Sequence, residues 1–200
     1  MSEVLGGFKL GGELGGIKIV NTDCRKLPQR AASAMGMINE KAMFGATYDP
    51  LWYIGEQLVN GTNYMFVCRQ VKSTRNANTS ICIVVINVPT DGSNKEPTIF
   101  RVIEEADMSQ ELHCLFRTAT FNCGIGYKPL IHIGSQVVAG ENNFFIAEAN
   151  IMYPGSIPYP VLIQIRTFMG VNIVEKIKKL GVSDEEEKVN GIACPLGEWP

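Results

Sequence analysis

The chain has 200 residues, 46% of them hydrophobic and 19% charged, with 18 basic and 20 acidic residues and a net charge of −2. That apolar content excludes wholesale disorder, and balanced charge without a Lys/Arg cluster argues against a nucleic-acid partner. The longest uninterrupted apolar run, Ile81–Ile86, is six residues, against about 20 for a membrane-spanning helix.

The opening stretch, MSEVLGGFKLGGELGG, repeats an apolar-then-glycine step three times and is too glycine-rich and acidic for a secretory apolar segment. Six cysteines occur, at 24, 68, 82, 114, 123 and 194. Three percent cysteine is far below a disulfide scaffold, so free thiols and a cytoplasmic location are expected. Of two glycosylation sequons, Asn60-Gly61-Thr62 falls inside the segment read below as a working surface.

Pro28–Met43 carries Ala31, Ala34, Met35, Ile38 and Met43 on one stripe and predicts a helix, with Asp23 as a candidate cap. A repeat follows. Pro50–Phe66 (PLWYIGEQLVNGTNYMF) and Pro129–Phe145 (PLIHIGSQVVAGENNFF) agree at nine of 17 positions, 79 residues apart. The same offset sets Ile81–Val88 beside Pro160–Thr167, two β-branched strand candidates. Met108–Thr120 predicts the second helix, with Leu112, Leu115 and Phe116 on one face and Ser109 as cap. Asn172–Leu180 reads either as a last strand or as a short helix ending at Gly181. Asp184–Glu187 reads as a solvated acidic run before a tail punctuated by Pro and Gly.

Each copy thus reads as helix, long strand, turn, strand, strand, turn, strand. The expected organisation is unit 1 over 1–104, unit 2 over 105–182 with a shortened second hairpin, and a tail over 183–200. In each unit the helix stripe and one face of an antiparallel sheet would bury each other.

Gln57–Gly61 (QLVNG) and Gln136–Gly140 (QVVAG) sit where hairpins are expected, and their tips are aliphatic rather than polar. Exposed apolar tips reduce solubility unless a partner covers them. These segments resemble the QxVxG signature of the cystatins, and QLVNGTNY is similar to the stefin branch. Val88–Pro89 through Asn94–Pro97 resembles the proline-flanked second hairpin of stefins, and the Leu-Gly-Gly steps resemble the trunk before the helix. The resemblance implies an α+β fold of two tandem cystatin-like units, each an antiparallel sheet wrapped on one helix. It also implies reversible inhibition of papain-like cysteine proteases by an apolar wedge. The wedge residues carried over are Gly6 or Gly16, then Gln57, Leu58, Val59, Asn60 and Gly61, then Pro89 and Pro97, with Gln136, Val138 and Gly140 in the second copy. The partner expected is a papain-like protease. The alternative is a non-inhibitory binding or structural module with its hairpin tips packed between units.

Other chemistry has weaker footing. The N-terminal glycines lack the Gly-Lys-Ser/Thr ending of a phosphate loop. His113, Cys114, Cys123 and His132 match no zinc spacing and no nucleophile–base pair. Paired carboxylates at Glu104–Glu105 and Glu185–Glu187 read as solvated charge. No enzymatic activity, cofactor or metal is expected.

Overall fold

A computed structural model describes residues 5–10, 13–23, 27–41, 45–72, 79–90, 96–121, 123–151 and 153–181; for 5–10, 13–23, 41 and 138 it describes the backbone only. The elements in chain order are β1 (Leu5–Leu10), β2 (Glu13–Asp23), α1 (Gln29–Lys41), β3 (Ala46–Val59), β4 (Gly61–Lys72), β5 (Thr79–Val88), β6 (Thr98–Ile103), α2 (Gln110–Thr120), β7 (Gly126–Val138), β8 (Gly140–Asn150), β9 (Tyr159–Phe168) and β10 (Val171–Lys179). A 3-10 turn at Glu105–Asp107 precedes α2. Asp23, the expected cap of α1, is instead the last residue of β2. The first bond of α1 runs from the Ala32 amide to the Pro28 carbonyl at 3.0 Å. Ser109 caps α2, its hydroxyl accepting from the Leu112 amide at 3.3 Å. The ambiguous segment is strand through Lys179, paired antiparallel along β9.

Two antiparallel four-stranded sheets, β3–β6 and β7–β10, are joined edge to edge through the β1–β2 hairpin, in the order β10-β9-β8-β7-β1-β2-β3-β4-β5-β6. The N-terminal glycines therefore run as strands, with Gly16 opposite Leu58 and Phe8 opposite Gln136.

The expectation of two cystatin-like α+β units, each an antiparallel sheet wrapped on one helix, is overturned by this arrangement. The described residues are mostly strand, and the two helices among them have 13 and 11 residues. At 1.5 Å per residue the longer helix is about 20 Å long. The 14-residue β3 spans about 46 Å at 3.3 Å per residue, so a helix covers only part of one sheet face, and the other face is covered by the second sheet. One face of each sheet buries against the other sheet, and the opposite face takes a helix.

Strand alternation shows how. In β5 the even residues Cys82, Val84 and Ile86 join Tyr53, Tyr64, Phe66 and Cys68 under the α1 residues Ala31, Ala34, Met35 and Ile38. The odd residues Ile83 and Val85 point the other way, into a cluster that also holds Ile54, Met65 and Val67 from the first sheet. The same cluster takes Ile131, Ile133, Phe144, Ile146 and Leu162 from the second. Phe145, Ala147, Val161, Ile163 and Ile165 face outward onto Phe116 of α2. An antiparallel strand covered on both faces loses its polar alternation, which is why ICIVVI reads as an unbroken apolar run. The two copies share a single sandwich core.

Candidate docking surface

At the β3–β4 tip, three polar side chains form a rung across three strands. Asn63 Nδ2 donates to Gln57 Oε1 at 3.0 Å, and Asn87 Nδ2 donates to Asn63 Oδ1 at 2.8 Å. Gln57 and Asn63 are fully buried. In the low-dielectric interior such a chain of bonds holds the strands in register. The motif glutamine is thus a strut of the fold.

The motif glycine has an equally local reason. Gly61 has φ 112°, and a Cβ there would lie 3.0 Å from the Pro89 Cα and closer still to the Val88 carbonyl oxygen. Gly140 has φ 104° and stands in the same relation to the Thr167 carbonyl. Both conformations are open essentially to glycine alone.

The predicted wedge residues distribute as follows. Gly6 lies in β1, Gly16 pairs with Leu58 in β2, and Gly61 lies against Pro89. Leu58 is 58% exposed, Asn60 and Gly140 are exposed, and Val59, Pro89 and Pro97 are half-buried. Gln136 is buried, and the backbone of Val138 pairs with Gly140. Three antiparallel pairings separate β3 from β7, so these strands run in opposite senses. The first tip is brought beside Gly16 and Pro89; the second leaves the sheet in the opposite sense.

Around that second tip lies a surface the motif did not mark. Arg166, which holds the place of Asn87 in the repeat, donates Nη2 to the Ala139 carbonyl at 3.0 Å and pairs through Nη1 with Glu175 at 3.2 Å. Its guanidinium carbon sits 5.5 Å from the centre of the Phe168 ring. Gln164 Nε2 donates to the other Glu175 oxygen at 2.7 Å. These contacts tie the β7–β8 tip to the β9–β10 hairpin. Phe168 lies opposite Val171, and Ile173 opposite Arg166, so all four side chains share one face. Val171 and Ile173 are each 56% exposed and Met169 at the turn is 87% exposed, while Val137 on the tip is 64% exposed. The signal was present in the sequence as Phe168-Met169-Gly170-Val171, a turn with large apolar residues.

Burial shifts three titratable groups near the core from their ordinary values. Burial pushes the Cys82 thiol up to about 11, with Glu104 adding to the shift and Lys72 opposing it. Burial also raises the Tyr53 phenol, helped by Glu56 and Tyr64. His132 is lowered from the usual imidazole value by burial, which outweighs its bond to Asn143 and the pull of Glu141. Among the described residues, no group of three or more His, Cys, Asp or Glu side chains could hold a metal ion, and no helix is long and apolar enough to cross a membrane. Cys24, Cys194 and the acidic run at 184–187 lie outside the described residues.

No family model matches the chain, and neither a curated protein nor a solved structure matches it. The resemblance to cystatins therefore rests on the short motifs alone.

Proposed function

We propose that the protein is a non-enzymatic binding module that docks a partner protein on the β9–β10 hairpin and the adjoining β7–β8 tip. One observation carries this reading: Phe168, Met169, Val171 and Ile173 are exposed together on a hairpin that Arg166 and Glu175 hold in place. Apolar side chains on a preorganised surface lose little conformational entropy on association, and clustered exposed apolar residues mark interaction sites. Site-specific photo-cross-linking from Met169 in cells, with exposed Glu40 on α1 as reference, tests it. A discrete adduct from Met169 alone supports the docking surface; equal labelling from both positions contradicts it.

A second reading is reversible inhibition of a papain-like cysteine protease by the first tip. The observation favouring it is the placement of Gly61 directly against Pro89, beside the exposed Leu58. Titration of papain with the purified protein is the test, and absence of inhibition at micromolar concentration removes this reading for that target class.

A further inference from the structure

Cys68 of β4 stands directly opposite Cys82 of β5, in an antiparallel register that runs unbroken from Thr62 and Val88 to Val71 and Thr79. Both belong to the cluster on the face that α1 covers, with Ala31, Ala34, Met35 and Ile38. Both are fully buried thiols. Opposed residues of an antiparallel pair have Cα atoms about 4.5 or about 5.5 Å apart, and a disulfide accepts about 4.4–6.8 Å. The Cβ atoms need to approach by about 1 Å at most. The second copy, 79 residues on, holds Ala147 opposite Val161 at the same place, buried in the cluster with α2. Thiols are therefore no requirement of the repeated fold, and both members of one cross-strand pair differ together between the copies.

We propose that Cys68 and Cys82 are an oxidisable dithiol, which closes to a cross-strand disulfide when α1 unravels from the sheet and admits a low-molecular-weight disulfide. With α1 in place neither side chain is reached by solvent. Burial also pushes the Cys82 thiol up to about 11, whereas the attacking species in disulfide exchange is the thiolate. α1 is the element that gives way. Its 13 residues include Gly36, and a helix of that length is marginal without the contacts of its apolar stripe. Once uncovered, one thiolate attacks a sulfur of oxidised glutathione and expels a glutathione thiolate, leaving a mixed disulfide. The second cysteine, having given up its proton, attacks the protein sulfur of that bond and expels the other glutathione. Two protein thiols lose two protons and two electrons, and one glutathione disulfide becomes two glutathione thiols. The bridge ties β4 to β5 in the first sheet, so this inference does not depend on docking at the β9–β10 hairpin.

Incubation of the reduced full-length protein with oxidised glutathione, followed by acid quench, alkylation and peptide mapping, tests the proposal. Peptides joined through Cys68 and Cys82 within one chain are expected, and dithiothreitol should separate them. The link should form roughly tenfold or more slowly than the mixed disulfide at exposed Cys114. Gly36→Ala, at a position with nothing within 4 Å of the added Cβ, strengthens α1. It should slow closure about two- to fivefold while Cys114 reacts as before. Recovery of Cys68 and Cys82 as unlinked thiols after Cys114 has reacted completely overturns the proposal. A link from either one to a different cysteine, or to a second copy, overturns it equally. Closure at an unchanged rate in Gly36→Ala overturns the role of α1.

Discussion

Gly61 lies against the carbonyl of Val88 as Gly140 lies against that of Thr167, and each pair is 79 residues from its counterpart. The repeat has preserved a close approach between a hairpin tip and the neighbouring strand end, where a side chain would collide with backbone.

Gly61→Ala and Gly140→Ala are each expected to destabilise the protein by about 1–3 kcal/mol, the range for a residue forced into a sparsely populated backbone conformation. Gly36 is the control. It is exposed within α1, with nothing within 4 Å of an added Cβ. There Gly36→Ala should stabilise by roughly 0.5–1 kcal/mol. Urea unfolding of the three variants checks the opposite signs.

Asn63 both donates to Gln57 and accepts from Asn87. Asn63→Ala removes both bonds inside the core and should destabilise by about 1–3 kcal/mol. Because Asn87→Ala removes one of the same bonds, the double variant should fall short of the sum of the single effects. A double-mutant cycle by denaturant unfolding reads that shortfall; strict additivity would contradict the rung.

His132 Nε2 bonds Asn143 Oδ1 at 2.9 Å, and its ring centre lies 4.9 Å from that of Phe145, the two planes tilted by 50°. Its pKa in the folded protein lies below the unfolded value near 6.5. The unfolded chain therefore binds the proton more readily, so this group's stabilisation is full above that pH. It is lost progressively as pH falls through the unfolded value, with a slope of at most about 1.4 kcal/mol per pH unit. Replacing the imidazole by His132→Gln should flatten the stability profile between pH 5 and roughly pH 7. Chemical denaturation across that range measures it, and an unchanged profile would contradict the burial.

Both helices were legible because a stripe at Ala31, Ala34, Met35 and Ile38 and a cap at Ser109 are local signals. The fold class was not. An unbroken run such as ICIVVI shows that both faces are covered, but nothing in it says which face meets a helix and which meets another sheet. The Leu-Gly-Gly steps carry too few side chains to show a strand period, so β1 and β2 look like a trunk in the sequence. Gln57 reads as a binding residue because the rung that buries it runs through Asn63 to Asn87 and exists only once β5 lies beside β4, beyond any local pattern. Arg166 and the Phe168–Ile173 face were missed for the same reason: their meaning depends on which strand lies alongside.

The two copies share one core, and Ile146→Ala tests that directly. Ile146 is buried in the same cluster as Val67, Ile83 and Val85 of the other sheet. Its truncation should destabilise by about 2–5 kcal/mol. Native-state amide exchange should show the same loss of protection at Ile83 and Val85 as at Phe144 and Leu162. A loss confined to residues 105–181, with the first sheet unaffected, would contradict the shared core.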